Sequence, residues 1–234
     1  MKKHIPNAIT CCNLICGCIA TLWAFESNYL LALLFIVIGA VFDFFDGMTA
    51  RLLHVSSPIG KELDSLADDI TFGFAPAAIV FDYLCTLVPC SMAYIPYLAF
   101  IMAAFSALRL AKFNLDERQA MGFIGLPTPA NALFWASLMA GIEWRQLFEP
   151  YPTAPSWFAV VVLTMMLVSC YLLVSEIPMF ALKFKHWGWK GNEVRYIFLL
   201  TSLLLIVLLG IPGIAATIAW YVLLSLFTQK HVNS

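Results

Sequence analysis

Long apolar segments alternate with short polar links along most of the chain. Each segment is long enough to cross the hydrocarbon core of a bilayer, which is about 30 Å thick and requires about 20 helical residues. The eight segments cover roughly residues 6–25, 29–52, 65–87, 93–112, 127–146, 157–177, 194–210 and 213–229. This pattern predicts an all-α fold, a polytopic membrane helix bundle with about eight transmembrane helices.

The composition agrees with a membrane protein. Hydrophobic residues make up 62% of the 234 residues and charged residues only 12%, about half the charged fraction of a soluble domain. The net charge of −1 favours no particular partner. Nucleic acid is not an expected partner, because the chain has no basic cluster with interleaved aromatic residues. No cleavable signal peptide is evident, because Asn7, Thr10 and Asn13 interrupt the first apolar segment.

Lysine and arginine are distributed unevenly between the predicted links. If the N-terminus is cytoplasmic and the segments alternate, twelve of the thirteen basic residues fall on the cytoplasmic side, and only Arg145 falls outside. This bias follows the positive-inside rule. It predicts that both termini face the cytoplasm.

Acidic residues interrupt the second and third apolar segments, which residues 53–63 are expected to link. The pattern is Asp43-x-x-Asp46-Gly47-x-x-Ala50-Arg51, eight residues, then Gly60-x-x-x-Asp64-x-x-x-Asp68. An ionised side chain at the bilayer centre costs about 2.5–3.5 kcal/mol on insertion scales, so charges here indicate function. Residues three, four, seven and eight positions apart share a helix face. We therefore expect two polar faces to converge in the cytoplasmic third of the membrane.

The residue types in this pattern favour a cation and a phosphate. Clustered carboxylates repel one another unless a cation lies between them, and oxygen ligands favour Mg²⁺, Mn²⁺ or Ca²⁺. The four aspartates could hold two ions, which would clamp a transferring phosphoryl group. Gly47, Ala50 and Gly60 reduce side-chain bulk on the same faces, and Arg51 offers a planar fork of donors that suits a phosphate. The alternative is an ion-pair network that only holds helices together, although five charges exceed what helix packing needs.

At every defined position the pattern resembles the signature of the CDP-alcohol phosphotransferase family. Further stretches resemble one branch of that family, the bacterial type II phosphatidylserine synthases. These stretches are Ile5–Thr10, Gly60–Asp68, Phe72–Ala77, Leu108–Asn114 and Gly125–Ala130. The resemblance covers about residues 5–135, whereas the last hundred residues match mainly as hydrophobic spans.

The resemblance implies a role for each residue of the pattern. Two divalent cations, Mg²⁺ or Mn²⁺, would be held by Asp43, Asp46, Asp64 and Asp68. Asp68 would also be the catalytic general base. The CDP moiety would contact a second set of residues, namely Asn7, Thr10, Gly47, Ala50, Arg51, Ser57 and Gly60. Asn7 could alternatively be a helix cap.

The implied reaction is transfer of the phosphatidyl group from CDP-diacylglycerol to L-serine by direct displacement, giving phosphatidylserine and CMP. Arg109, Lys112, Asn114 and Thr128 are candidates for the serine pocket. Anchoring at the membrane surface is the alternative role for Arg109 and Lys112. The same chemistry with glycerol 3-phosphate, inositol phosphate or choline stays open, and a divalent-cation transporter using the same acids is a more distant alternative.

The resemblance also bears on organisation and location. Residues 1–234 are expected to form a single membrane domain, with catalytic core helices in 5–135 and additional transmembrane helices in 150–234. We expect a homodimer in the bacterial inner membrane, with the active site on the cytoplasmic side.

Overall fold

The computed structural model describes residues 4–55, 57–115, 123–148, 156–179, 188 and 192–228, and most of them are helical. The α-helices in these ranges are α1 (His4–Phe25), α2 (Tyr29–Leu52), α3 (Pro58–Asp68), α4 (Ala75–Leu87), α5 (Ile101–Leu115), α6 (Thr128–Phe148), α7 (Trp157–Val174), α8 (Glu193–Leu209) and α9 (Pro212–Thr228). Short 3₁₀ helices, Cys90–Met92 and Ile95–Phe100, precede α5.

Within the described residues, five helical segments are long and apolar enough to cross a membrane. They are His4–Phe25, Tyr29–Leu52, Pro58–Leu87, Ile95–Leu115 and Trp157–Val174. Helices α6, α8 and α9 occupy the positions of the other three predicted spans, and α9 contains a further apolar stretch of helix. The prediction of an all-α polytopic membrane bundle is therefore confirmed.

The third helical segment begins earlier than the apolar pattern predicts. The predicted span was 65–87 with a link over 53–63, whereas the helix runs without a break over Pro58–Leu87. Pro58 suits the first turn of a helix, where a missing N–H has no intrahelical partner to lose. Ser57 caps this turn by accepting a hydrogen bond from the N–H of Gly60 at 3.0 Å. Polar residues therefore occupy the first turns of this helix, which a hydropathy window does not detect.

A π-helical turn, Asp69–Phe74, joins α3 to α4. Within it Thr71 is fully buried and donates its hydroxyl to the carbonyl of Asn13 at 3.0 Å. A Cβ built on Gly39 would lie 2.6 Å from Thr71 Cγ2, and one built on Gly17 would lie 2.8 Å from Thr71 Cα. These two glycines therefore let α1 and α2 approach the π-helical turn closely. π-Helical turns are rare in proteins, and those that do occur are often found at functional sites.

Helix α4 lies at the centre of the core. Residues 75–80 are all buried, as expected for a helix that is hydrophobic on every side. Trp135, Phe72 and Ile36 are fully buried in the same core. By contrast, α8 exposes a row of large apolar side chains, Leu200, Leu203, Val207 and Leu208, which suits contact with lipid.

Two half-buried acids hold the end of α2 that is distant from the aspartate pattern. Asp82 Oδ2 accepts hydrogen bonds from the Tyr29 hydroxyl at 2.8 Å and from the Ser27 hydroxyl at 2.6 Å. Glu143 Oε2 accepts one from the backbone N–H of Leu30 at 2.9 Å. The start of α2 is thus tied to α4 and α6, which limits movement of the helix that carries Asp43 and Asp46.

A two-stranded antiparallel sheet joins the chain before α6 to the chain after α7. Strand β1 (Phe123–Ile124) pairs with β2 (Pro178–Met179). Gly125 follows β1 with φ of 74°, and a Cβ there would lie 2.9 Å from the carbonyl oxygens of Leu173 and Ser175. Glycine is required by both the backbone angle and the close approach. The sheet fixes the beginning of α6 against the end of α7.

Several basic residues behind the predicted orientation lie outside the described ranges. They are Lys2, Lys3, Arg118, Lys183, Lys185, Lys190 and Lys230. The orientation of the bundle in the membrane therefore stays a prediction.

Candidate metal and phosphate site

Three of the four aspartates meet at one point. Asp43 on α2 and Asp64 and Asp68 on α3 each bring a carboxylate oxygen to within 4.8 Å of the others. Asp64 and Asp68 are one helical turn apart, so they share one face of α3. All three donors are carboxylate oxygens, and such a set fits a hard divalent cation such as Mg²⁺ or Mn²⁺. We refer to Asp43, Asp64 and Asp68 as the acidic triad.

Asp46 lies beside the acidic triad but has a partner of its own. The hydroxyl of Thr10 donates to Asp46 Oδ2 at 2.6 Å, and only 6% of the surface of Asp46 is exposed. Its charge still interacts with those of Asp43 and Asp64. The structure therefore places Asp46 next to the triad, between the triad and α1.

Asn13 is a contact that the sequence analysis missed. It is completely buried, and its side-chain Nδ2 donates to Asp68 Oδ1 at 3.1 Å. Such a donor restricts the orientation of a carboxylate, as residues behind metal ligands commonly do. One signal was present in the sequence, because Asn13 follows Thr10 by three positions and shares its helix face. In the hydropathy pattern, however, Asn13 stands out only as an interruption of an apolar segment.

A cavity of about 260 Å³ opens beside the acids, where α1 begins, α2 ends and α3 begins. Six of the seven residues assigned to CDP by the family resemblance line it, namely Asn7, Thr10, Gly47, Ala50, Ser57 and Gly60. Asp46 and Asp64 also line it, so the acids and the cavity share a wall. The arrangement provides an acidic, cation-binding wall next to a space for a ligand of moderate size.

Gly47 and Gly60 border this cavity in different ways. A Cβ on Gly47 would meet nothing closer than Arg51 Nη1 at 4.0 Å, so Gly47 faces open space. A Cβ on Gly60 would lie 3.0 Å from both Asn7 Oδ1 and Ser57 Oγ. The seventh assigned residue, Arg51, is exposed and does not line the cavity, but its guanidinium lies near Gly47 at the edge.

Asn7 lies in the first turns of α1, and the described helix begins before it, at His4. Its side-chain oxygen lies close to Gly60 of α3, and both residues line the cavity. Ser57, by contrast, accepts a hydrogen bond from the Gly60 N–H as the cap of α3. The residue that acts as a helix cap here is therefore Ser57.

Two of the four serine-pocket candidates come together next to the acidic triad. Arg109 is buried, with 7% of its surface exposed, and its Nη1 donates a long hydrogen bond of 3.4 Å to the hydroxyl of Thr128. Thr128 is completely buried at the start of α6. The charge of Arg109 also interacts with that of Asp68. Arg109 and Thr128 thus lie on the side of Asp68 that faces α5 and α6.

The other two candidates, Lys112 and Asn114, have partners that tie helices together. Lys112 is exposed, and its Nζ donates to the carbonyl of Val174 at 3.4 Å. The side-chain amide of Asn114 donates to the hydroxyl of Ser65 at 2.7 Å, and the backbone carbonyl of Asn114 accepts from Lys61 Nζ at 3.1 Å. The hydrogen bonds of these two side chains therefore go to the end of α7 and to α3, whereas Arg109 bonds to Thr128 at the start of α6.

Most of the helices described above fall within the match to one known protein family. The model of the family described as CDP-alcohol phosphatidyltransferase matches residues 3–174 of the chain. This match includes the acidic triad, the cavity, Arg109 and Thr128, whereas α8 and α9 lie beyond it.

Three curated proteins, each named CDP-diacylglycerol–serine O-phosphatidyltransferase, are similar to the chain. The Bacillus subtilis (strain 168) protein is 39% identical over 132 residues, which are 54% of this chain and 70% of that protein. The Mycobacterium leprae protein is 30% identical over 187 residues, or 75% of this chain and 57% of that protein. The Methanocaldococcus jannaschii protein is 36% identical over 130 residues, or 55% of this chain and 57% of that protein. The chain thus spans little more than half the length of two of these relatives.

Proposed function

Because the chain belongs to the CDP-alcohol phosphatidyltransferase family, we propose that it transfers the phosphatidyl group of CDP-diacylglycerol to the hydroxyl of L-serine. The products are phosphatidylserine and CMP. The observation that carries the proposal is the shared wall of the 260 Å³ cavity and the acids. A diphosphate bound in this cavity would lie against cation ligands, as phosphoryl transfer requires.

The cation would be held by the acidic triad, with Asp46 beside it. This donor set suits one or two Mg²⁺ or Mn²⁺ ions, and two ions would engage all four aspartates. When bound, the cations would neutralise negative charge on the diphosphate. The carboxylates would otherwise repel both one another and the substrate.

The cytidine diphosphate would occupy the cavity, in contact with Asn7, Thr10, Gly47, Ala50, Ser57 and Gly60. Gly47 leaves open space where a side chain would otherwise intrude. Arg51, at the edge, can pair with a phosphate through its guanidinium fork. The diacylglycerol tails would remain in the surrounding lipid.

Asp68 is the acid best placed to act as the general base. It accepts a hydrogen bond from the amide of Asn13 on one side and interacts with the charge of Arg109 on the other, so it is the member of the triad nearest to Arg109 and Thr128, which we call the acceptor pair. In the proposed step Asp68 takes the proton of the serine hydroxyl. The serine oxygen then attacks the phosphorus that bears diacylglycerol, and the bond to the CMP oxygen breaks.

Arg109 and Thr128 would hold the carboxylate of serine. Arg109 is the only buried lysine or arginine among the residues that the structure describes. A single buried guanidinium suits an acceptor with a single carboxylate. A phosphorylated acceptor would need several basic groups. This observation favours serine over glycerol 3-phosphate and inositol phosphate.

We further propose that the protein acts as a homodimer in the bacterial cytoplasmic membrane, with its termini and site on the cytoplasmic side. Five apolar spans and the family support an integral membrane protein. The cytoplasmic location of the site rests on the distribution of lysine and arginine.

The proposal is tested with the purified protein in lipid nanodiscs that contain CDP-diacylglycerol. Labelled L-serine, glycerol 3-phosphate, inositol phosphate and choline are supplied separately, with Mg²⁺ or Mn²⁺ and with EDTA. We expect phosphatidylserine and an equal amount of CMP from serine only, and neither product with EDTA. Transfer to a different alcohol alone would overturn the serine assignment, and cation flux without CMP release would favour the transporter alternative.

A further inference from the structure

Three buried polar atoms, one in Arg109 itself and two in residues near it, have no hydrogen-bond partner among the described residues. They are Asp69 Oδ1, Ser106 Oγ and Arg109 Nε. Buried polar groups in folded proteins are nearly always hydrogen-bonded, so each exception requires an explanation. Three exceptions close together indicate a ligand that supplies the missing partners.

The three residues lie along one contact between α5 and the π-helical turn. Ser106 and Arg109 are three positions apart on α5 and therefore share a face. A Cβ built on Gly73 would lie 2.6 Å from Asp69 Oδ1 and 2.9 Å from Ser106 Cβ. Asp69 and Ser106 are therefore neighbours across Gly73, and Arg109 lies one helical turn further along, towards Thr128.

The side chains of the neighbouring residues Asp68 and Asp69 point towards different helices. Consecutive helical side chains point about 100° apart. Asp68 points towards Asn13 of α1, whereas Asp69 points towards Ser106 of α5. The first acid therefore belongs to the cation side of the site, and the second belongs to the side that holds Arg109.

The charges along this contact match an amino acid in its zwitterionic form. A guanidinium binds a carboxylate through paired N–H donors, and Arg109 has an unused Nε–H. A carboxylate oxygen and a hydroxyl are acceptors for an ammonium group, and Asp69 and Ser106 offer one of each. An acceptor held at both ends would present its hydroxyl to Asp68, the neighbour of Asp69.

We propose that Asp69 and Ser106 bind the α-ammonium group of the acceptor amino acid while Arg109 binds its carboxylate. This inference rests on the proposed function and extends it, because it makes the acceptor pocket selective for a zwitterion. Alcohols that lack either charged group would bind more weakly than serine, because they would leave Asp69 or Arg109 unpaired.

The first test measures serine kinetics of Asp69→Asn in nanodiscs. We expect the KM for L-serine to rise at least tenfold, while the KM for CDP-diacylglycerol and the kcat at saturating serine stay within about twofold. Glu62→Gln is the matched control, since it removes an exposed carboxylate from α3, and its serine KM should not change. Ser106→Ala is a smaller change and should raise the KM for serine severalfold. It tests the same ammonium site if Asp69→Asn does not fold.

The second test uses competitors of serine that carry only one of its charges. Ethanolamine lacks the carboxylate and 3-hydroxypropionate lacks the ammonium group. Relative to wild type, Asp69→Asn should lose inhibition by ethanolamine and keep inhibition by 3-hydroxypropionate, and Arg109→Lys should show the reverse.

The outcomes separate this inference from the proposed function. If the wild type makes phosphatidylserine but both Asp69→Asn and Ser106→Ala keep the wild-type KM for serine, the ammonium site is overturned and the function stands. A parallel rise in both substrate KM values would show a general structural effect and would also overturn it. A wild type that makes no phosphatidylserine would overturn the proposed function, and with it this inference.

Discussion

At the scale of single residues, two side chains on one face of α1 hold aspartates of other helices. Thr10 donates to Asp46, and Asn13 donates to Asp68. The spacing of the acids was readable from the sequence, because positions four apart share a helix face. Their partners were not, because these hydrogen bonds join residues 36 and 55 positions apart, respectively.

The Asn13→Ala substitution tests how much the orientation of Asp68 matters. Without the amide the carboxylate can rotate, so we expect activity or cation affinity to fall about 10–100-fold, as is usual for residues behind metal ligands. The measurement is the rate of phosphatidylserine formation as a function of Mg²⁺ concentration. Asn28→Ala is the matched control, because Asn28 caps α2 at the other end of the bundle, where it accepts from the N–H of Leu31. Equal losses in the two variants would contradict an orienting role for Asn13.

At the scale of elements, the close approach of α1 and α2 to the π-helical turn sets the geometry of the acids. Hydropathy alone predicted the existence and the approximate bounds of the helices. It did not predict the polar start of α3 or the π-helical turn after Asp68. A polar first turn lowers the apolar average, and a π-helical turn depends on packing against neighbours such as Thr71 against Gly39 rather than on local propensity.

Gly39 and Gly47 form a pair for testing this packing. A Cβ on Gly39 would lie 2.6 Å from Thr71 Cγ2 and 3.0 Å from Asn13 Oδ1, whereas one on Gly47 would meet only Arg51 at 4.0 Å. We expect Gly39→Ala to destabilise the protein by about 1–3 kcal/mol through overpacking. Gly47→Ala should keep the wild-type stability and raise the KM for CDP-diacylglycerol, because it fills cavity space. The measurements are the thermal unfolding and the substrate kinetics of both variants. Equal unfolding temperatures for the two variants would contradict the packing role of Gly39.

At the scale of the whole molecule, folding brings carboxylates together. In the absence of a cation, their mutual repulsion destabilises the folded protein. The triad oxygens lie within 4.8 Å of one another, where like charges repel strongly. A cation that binds only the folded protein stabilises it by mass action, by about 2.7 kcal/mol at a concentration of 100 times its Kd.

Removal of divalent cations should therefore lower the unfolding temperature of the whole protein. We expect EDTA to lower it and added Mg²⁺ or Mn²⁺ to restore it, with Na⁺ at matched ionic strength as the control for screening. Asp64→Asn should abolish most of this dependence, because it removes one carboxylate charge of the triad. The same unfolding temperature for the wild type with EDTA and with Mg²⁺ would argue against a cation site.

The sequence by itself determined the class of fold, the approximate place of the helices and the identity of the acidic pattern. The bilayer requires long apolar helices, and helical periodicity puts residues at fixed spacings on one face, so both features are local and readable. Only the tertiary structure decided which oxygens meet. It joined Asp43 to Asp64 and Asp68, gave Asp46 a hydroxyl partner, and gave Arg109, Lys112 and Asn114 hydrogen-bond partners on three different elements. These choices depend on the packing of helices distant in sequence, which no local pattern of the chain records.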